Sequence, residues 1–197
     1  MKTALIVLGV IVLILVIGFA SLFGVYNGFV TAEQSVNEKW AQVQNVYQRR
    51  ADLIPNLVET VKGFAAQEKT VLEAVTQARA SASGIKATPE LLNDPVAFKK
   101  FQDAQNQLGG ALSRLLVTVE RYPELKSNQN FLALQSQLEG TENRITVERM
   151  RFNEAVRDYN TKIKLMPGAL VAGMMGFKEK AFFEAAPGSE TVPKVKF

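Results

Sequence analysis

From Ala4 to Val25 the chain carries no charge and is dominated by Leu, Ile and Val, and no acidic or basic side chain occurs between Lys2 and Glu33. At about 1.5 Å per residue, a helix of this length crosses a hydrocarbon core of roughly 30 Å. Tyr26 follows, where an amphipathic ring sits at headgroup level. The competing reading is a cleaved signal peptide, with Lys2 as its basic start and Gly18-Phe19-Ala20 as its cleavage site. The apolar run continues past that cut and exceeds the usual signal length, which favours an uncleaved anchor. Basic residues near the span are few. Lys2 and the amino terminus on one side, against Glu33, Glu38 and only Lys39 within Tyr26–Asn45 on the other, give a slight preference for the N-terminus inside and the larger part of the chain outside.

Beyond the anchor, apolar residues recur at three- and four-residue steps, the period of an amphipathic helix. Phe29, Val36, Trp40, Val43 and Tyr47 form the first stripe, close to a coiled-coil seam, and Pro55 is expected to end or kink that helix. A second stripe runs Leu57, Val61, Phe64, Glu68, Val71, Val75 and Ala78. Glu68 interrupts its apolar face, through a bend at Gly63, local exposure, or burial beside a partner. A small, polar linker spans Ser81 to Pro89; Asp94 then reads as an N-cap with Pro95 at the first helical position.

The third stripe runs from Phe98 through Leu108, Leu115 and Tyr122 to a stop at Pro123. Its Gly109-Gly110 pair suggests close approach of a neighbouring backbone. A fourth runs from Phe131 through Leu138, Ile145, Phe152 and Tyr159 to Ile163. Strand-like alternation is absent. The pattern predicts an all-α protein: an N-terminal transmembrane helix followed by an antiparallel up-down four-helix bundle with long helices. The expected divisions are an anchor at 1–25, a bundle at 26–165 and a membrane-proximal, amphipathic and basic tail at 166–197.

That connectivity returns the chain to the bilayer after Ile163. The segment Leu165–Phe177 is mostly apolar but too short to span, so it lies in the interface or covers the end of the bundle. Charge changes the picture here. Tyr26 to Thr161 holds sixteen basic and sixteen acidic residues, whereas Lys162 to Phe197 holds six lysines and three glutamates. The candidate membrane-interface residues are Met174, Met175, Phe177, Lys178, Lys180, Phe182 and Phe183, the lysines attracting anionic headgroups.

The 197 residues include neither Cys nor His. This excludes disulfides, thiolate or Ser-His-Asp catalysis, and zinc-finger or Glu-x-x-His metal sites. Arg49, Arg50 and Asp52 precede Pro55, at the expected membrane-distal end of the first helix pair. They either serve structure, with Asp52 pairing with Arg49 or capping the next helix, or form a partner interface, where guanidinium groups are favoured. Glu142, Arg144, Glu148, Arg149 and Arg151 read as a solvated helix face with weak ion pairs. Interleaved acids and a neutral bundle argue against nucleic acid.

The run Arg49-Arg50-Ala51-Asp52-Leu53-Ile54-Pro55-Asn56-Leu57-Val58-Glu59, with Tyr26-Asn27-Gly28-Phe29-Val30 and Trp40 before it, resembles the LemA family. Tyr122-Pro123-Glu124-Leu125, Glu142-Asn143-Arg144-Ile145, Arg151-Phe152-Asn153-Glu154-Ala155-Val156, Pro167-Gly168 and Gly176-Phe177 extend the resemblance over nearly the whole chain. It implies a bacterial protein with one N-terminal membrane helix and a long-helix bundle, in a family of uncertain molecular function. The short N-terminus of such proteins is commonly predicted to be extracytoplasmic, opposite to the lysine count. Many members have histidine where this chain has Gln67, so a titrating or metal role there does not carry over.

The expected function is a non-enzymatic scaffold or adaptor in the bacterial inner membrane. Its expected partners are membrane lipid, other envelope proteins or a further copy, with no cofactor, small-molecule substrate or nucleic acid. The alternative is a ligand-sensing bundle. Only three residues precede the anchor, so such a sensor would signal through a partner protein.

Overall fold

The computed structural model describes residues 2–185, which are almost entirely helical and contain no strand. Helix α1 (Lys2–Phe64) is followed by α2 (Lys69–Gly84), a 3-10 turn (Pro89–Asn93), α3 (Pro95–Val119), the single turn α4 (Pro123–Lys126), α5 (Gln129–Lys164) and α6 (Gly168–Met175). The N-terminal part of α1 is long and apolar enough to cross a membrane and packs against almost nothing over that stretch. From Phe29 onward the same helix buries Val36, Trp40, Val43, Tyr47, Ile54, Leu57 and Val61 along one seam. One helix thus carries both the apolar stretch and the first bundle rod.

Pro55 does not end α1, contrary to the expectation from proline chemistry. Its missing N–H deprives the Ala51 carbonyl of the usual helical donor. Arg79 on α2 fills that role, its Nε donating to the Ala51 oxygen at 2.8 Å. Buried Ile54 and Leu57 hold the flanking turns in the core. The reversal comes later, at residues 65–68, so Leu57 and Val61 belong to the first helix rather than the second. Phe64 is then 41% exposed and Ala65 is fully buried instead, while Leu72, Val75 and Ala82 carry the core along α2.

Directions alternate from rod to rod. Along α1 and α2, Ala51 meets Arg79, while Trp40 Nε1 donates to the Ala87 carbonyl at 3.0 Å, beyond the end of α2. Helix α3 runs with α1, pairing Phe101 with Trp40 and Gln105 with Arg50. Helix α5 runs against it, pairing Glu142 with Arg50 and Phe152 with Trp40. Asp94 caps α3 as expected, accepting from the Val96 and Ala97 amides at 3.0 Å with Pro95 behind it. Asn128 does the same for α5. The Gly109-Gly110 expectation fails: a β-carbon at either position would meet nothing within 4 Å, because the pair faces outward.

Candidate functional site

Two apolar clusters fill the bundle, one around Trp40 and one around Leu57 and Leu115. Between them lies a polar layer made by Arg50, Gln105, Thr141 and Glu142. Arg50 is 3% exposed. Its Nη1 donates to both Glu142 carboxylate oxygens at 3.0 and 3.3 Å, and its Nη2 to the backbone oxygen and side-chain carbonyl of Gln105. The guanidinium also sits 5.1 Å from the Tyr47 ring centroid, and burial pushes the Tyr47 hydroxyl above its ordinary pKa. A cavity of about 370 Å³ opens beside this layer, lined in part by Gln44, Gln48, Tyr47, Lys86 and Gln105.

This geometry revises the three marked residues. They lie midway along the bundle part of α1 because the helix runs on past Pro55. Arg50 is spent on interior contacts and presents no surface to a partner. Arg49 and Asp52 are exposed, and Asp52 accepts from Gln48 Nε2 at 2.7 Å rather than pairing with Arg49 or capping a helix. The solvated-face reading of α5 holds for exposed Arg144 and Arg151, and the expected ion pair forms, but its two carboxylates are less open than expected. Glu142 reaches buried Arg50 from a partly exposed position, and the Glu148 side chain is only 15% exposed, pairing with Arg151 at 2.8 Å. Glu68 does have partners: it accepts from the Tyr122 hydroxyl at 2.6 Å and from Arg121 at 3.0 Å. The same bond raises the Tyr122 hydroxyl pKa.

The most elaborate set of contacts holds an extended C-terminal strap, residues 177–185, along α3 and α5. Three side-chain amides each grip both polar groups of one strap residue. Asn160 pairs with the amide and carbonyl of Lys180 at 2.9 Å each. Asn153 does so with Phe183, also at 2.9 Å, and Gln102 with Glu184 at 2.7 and 3.1 Å. The Ala181 amide donates to the Leu92 carbonyl at 3.0 Å. An unpaired extended backbone is thereby satisfied as in a sheet, with side chains replacing the neighbouring strand.

Two strap side chains point inward. Lys180 is 6% exposed and donates its ammonium to Glu33 at 2.6 Å and to Asn93 at 2.9 Å. Phe183 enters the aromatic cluster of Trp40, Phe98 and Phe152, with the Arg149 guanidinium 4.5 Å from its ring centroid. Both therefore belong to the bundle interior and not to a membrane interface. The pairing with Glu33 offsets the charge of a lysine that reads as basic tail, and the phenylalanine serves as core. Lys178 and Phe182 remain exposed, and Lys194 and Lys196 lie outside the described residues. The sequence signal for the grip was available: Asn153 and Asn160 stand seven residues apart, each beside a buried aromatic, and so share a helix face.

Before the strap, α6 returns the chain to the foot of α1. Phe177 packs edge-on against Tyr26 and Phe29, with centroids 5.8 and 5.2 Å apart, and closes the base of the core. Gly168 lies so close to Phe29 that a β-carbon there would come within 2.9 Å of the ring. Met174 and Met175 are 83% and 59% exposed and flank a pocket shared with Phe19, Phe23 and Tyr26. Among the described residues no three carboxylates converge in a way that would hold a metal ion.

A helical bundle rooted on an apolar helix and closed by its own C-terminal strap is the class of protein this arrangement defines. The chain belongs to the LemA family, whose pattern matches residues 39–197. It is 30% identical to magnetosome protein MamQ of Magnetospirillum gryphiswaldense, over 93% of this chain and 74% of the relative. It is 29% identical to magnetosome protein MamQ 2 of Paramagnetospirillum magneticum, over 91% of this chain and 72% of that one. Protein LemA of Metamycoplasma hominis is 23% identical, over 81% of this chain and 69% of its own length.

Proposed function

We propose that this protein is a non-enzymatic scaffold of the bacterial inner membrane, holding envelope proteins or further copies of itself at a fixed height above the lipid. The observation that carries this reading is the continuity of α1. A single helix of 63 residues passes from the apolar span to the far end of the bundle without a loop. Such a rod transmits position rather than chemistry. The bundle stands on the extracytoplasmic side in this reading, following the sparse basic residues around the span. The most buried charged side chains are taken up by structure: Arg50 pairs with Glu142, Glu68 with Arg121, and Lys180 with Glu33. Exposed Arg49 and Asp52 are the remaining candidates for a docking face.

The test is site-directed photocrosslinking in intact cell membranes from positions 49 and 52. Discrete, reproducible adducts at those positions, absent from buried position 54, are expected. Turnover of a defined substrate by the purified protein, abolished by one substitution, would overturn the scaffold reading. The cavity beside the polar layer favours a second reading, a ligand-sensing bundle that signals through a partner. A saturable rise in melting temperature with a small polar ligand, lost in Gln105→Leu, would establish it.

A further inference from the structure

Helix α6, Gly168–Met175, has the sequence Gly-Ala-Leu-Val-Ala-Gly-Met-Met and contains no polar side chain. Gly168, Val171 and Ala172 face the bundle, while Leu170, Met174 and Met175 are 60%, 83% and 59% exposed. An apolar face this open is costly in water. It is also level with the span. Val171, Met174 and Met175 share a pocket of about 370 Å³ with Phe19, Leu22 and Phe23 of the uncharged run. Phe19 lies six residues inside the end of that run, about 9 Å along the helix axis.

The backbone of α6 suits an apolar depth. Beyond the helix's own bonds, the Ala169 and Leu170 amides donate to Leu165 and Pro167, and the Gly176 and Phe177 amides to Ala172. The amides at both ends of the helix are thereby paired, which leaves the carbonyls of its last turn for headgroups and water. Lys162 and Lys164 precede the helix and Lys178 follows it, all exposed, with Lys164 paired to Glu179 at 2.8 Å; lysines flanking an apolar helix are placed to meet headgroups.

We propose that α6 is embedded in the leaflet from which the bundle rises, with Leu170, Met174 and Met175 against the acyl chains. The occupant of this face is lipid because the face is continuous with the span, so the bilayer that receives Phe19 and Phe23 also meets α6. The protein then places two helices in one leaflet and one in the other. This inference rests on the anchor reading of α1.

The chain has no cysteine, so single-cysteine variants report directly. The full chain is reconstituted in phosphatidylcholine–phosphatidylglycerol vesicles with a nitroxide at Leu170→Cys, Met174→Cys, Ile11→Cys or Arg151→Cys. Collisions with oxygen and with a polar nickel chelate are then compared by power saturation. The ratio of oxygen to nickel accessibility at 170 and 174 is expected to exceed that at 151 by about ten-fold, because the chelate is excluded from hydrocarbon. It should remain below the ratio at 11, deeper in the span. Water-like ratios at 170 and 174 with a lipid-like ratio at 11 would overturn the proposal and leave the anchor intact. A water-like ratio at 11 would overturn the anchor reading and the proposal together. Spectral broadening at 174 that vanishes on dilution with unlabelled protein would assign the face to a second copy instead.

Discussion

Tyr159 is fully buried and donates its hydroxyl to the Lys178 carbonyl at 3.0 Å, with the Lys180 ammonium 5.5 Å from its ring centroid. Burial, and then the nearby Glu33 charge, push its pKa from 10.0 up to about 12. The folded chain thus holds a proton that the unfolded chain releases near pH 10. Its contribution is complete below that pH and is lost as pH rises from 10 towards 12, by roughly 1–1.5 kcal/mol at pH 11. Urea midpoints measured at pH 8 and pH 11 should fall more steeply in the wild type than in Tyr159→Phe. Tyr47, shifted in the same direction, leaves a residual slope. The sequence places Tyr159 on the core face of its stripe by period alone. It places Lys178 and Lys180 together at a membrane interface and misses the burial of Lys180, because an extended strap has no periodicity to read. Arg50 shows the same limit: its burial depends on Glu142 and Gln105, which only folding brings near.

At the scale of the element, local rules were legible where local chemistry decides the outcome. Asp94-Pro95 starts α3 because cap, proline and first turn lie within four residues of one another. Pro55 misleads because its missing donor is replaced from another helix. The Ala51 carbonyl that proline leaves free is the one that Arg79 takes, so proline and arginine together stitch α2 to α1. A double-mutant cycle reads this coupling. Arg79→Ala should cost about 1–2 kcal/mol in the native background, since it leaves a half-buried carbonyl unpaired. In Pro55→Ala the restored helical amide satisfies that carbonyl, and the same change should cost under about 0.5 kcal/mol. Equal costs in both backgrounds, by urea denaturation, would rule out the stitch.

Across the whole molecule, the all-helical architecture and the chain's return to the foot of α1 were both legible, since connectivity and period constrain them. The strap was not. Its fixings are amide pairs between Asn153, Asn160, Gln102 and backbone, which no hydrophobic pattern encodes. It nevertheless completes the core, so removing its anchor should be felt throughout. Phe183→Ala is expected to destabilise the fold by about 3–5 kcal/mol, as for other buried aromatics. Trp40 is the sole tryptophan and lies 6.1 Å from the Phe183 ring, so its emission should shift to the red in that variant. An unchanged spectrum and midpoint would mean that the strap leaves the cluster in solution. The unbroken first helix carries a mechanical consequence as well. In the anchor reading proposed above there is no joint at the water boundary, and the 39 residues from Tyr26 to Phe64 form a lever about 58 Å long. A lean of ten degrees in the lipid would sweep its tip sideways by roughly 10 Å, so thinning or thickening of the bilayer becomes displacement at a distance.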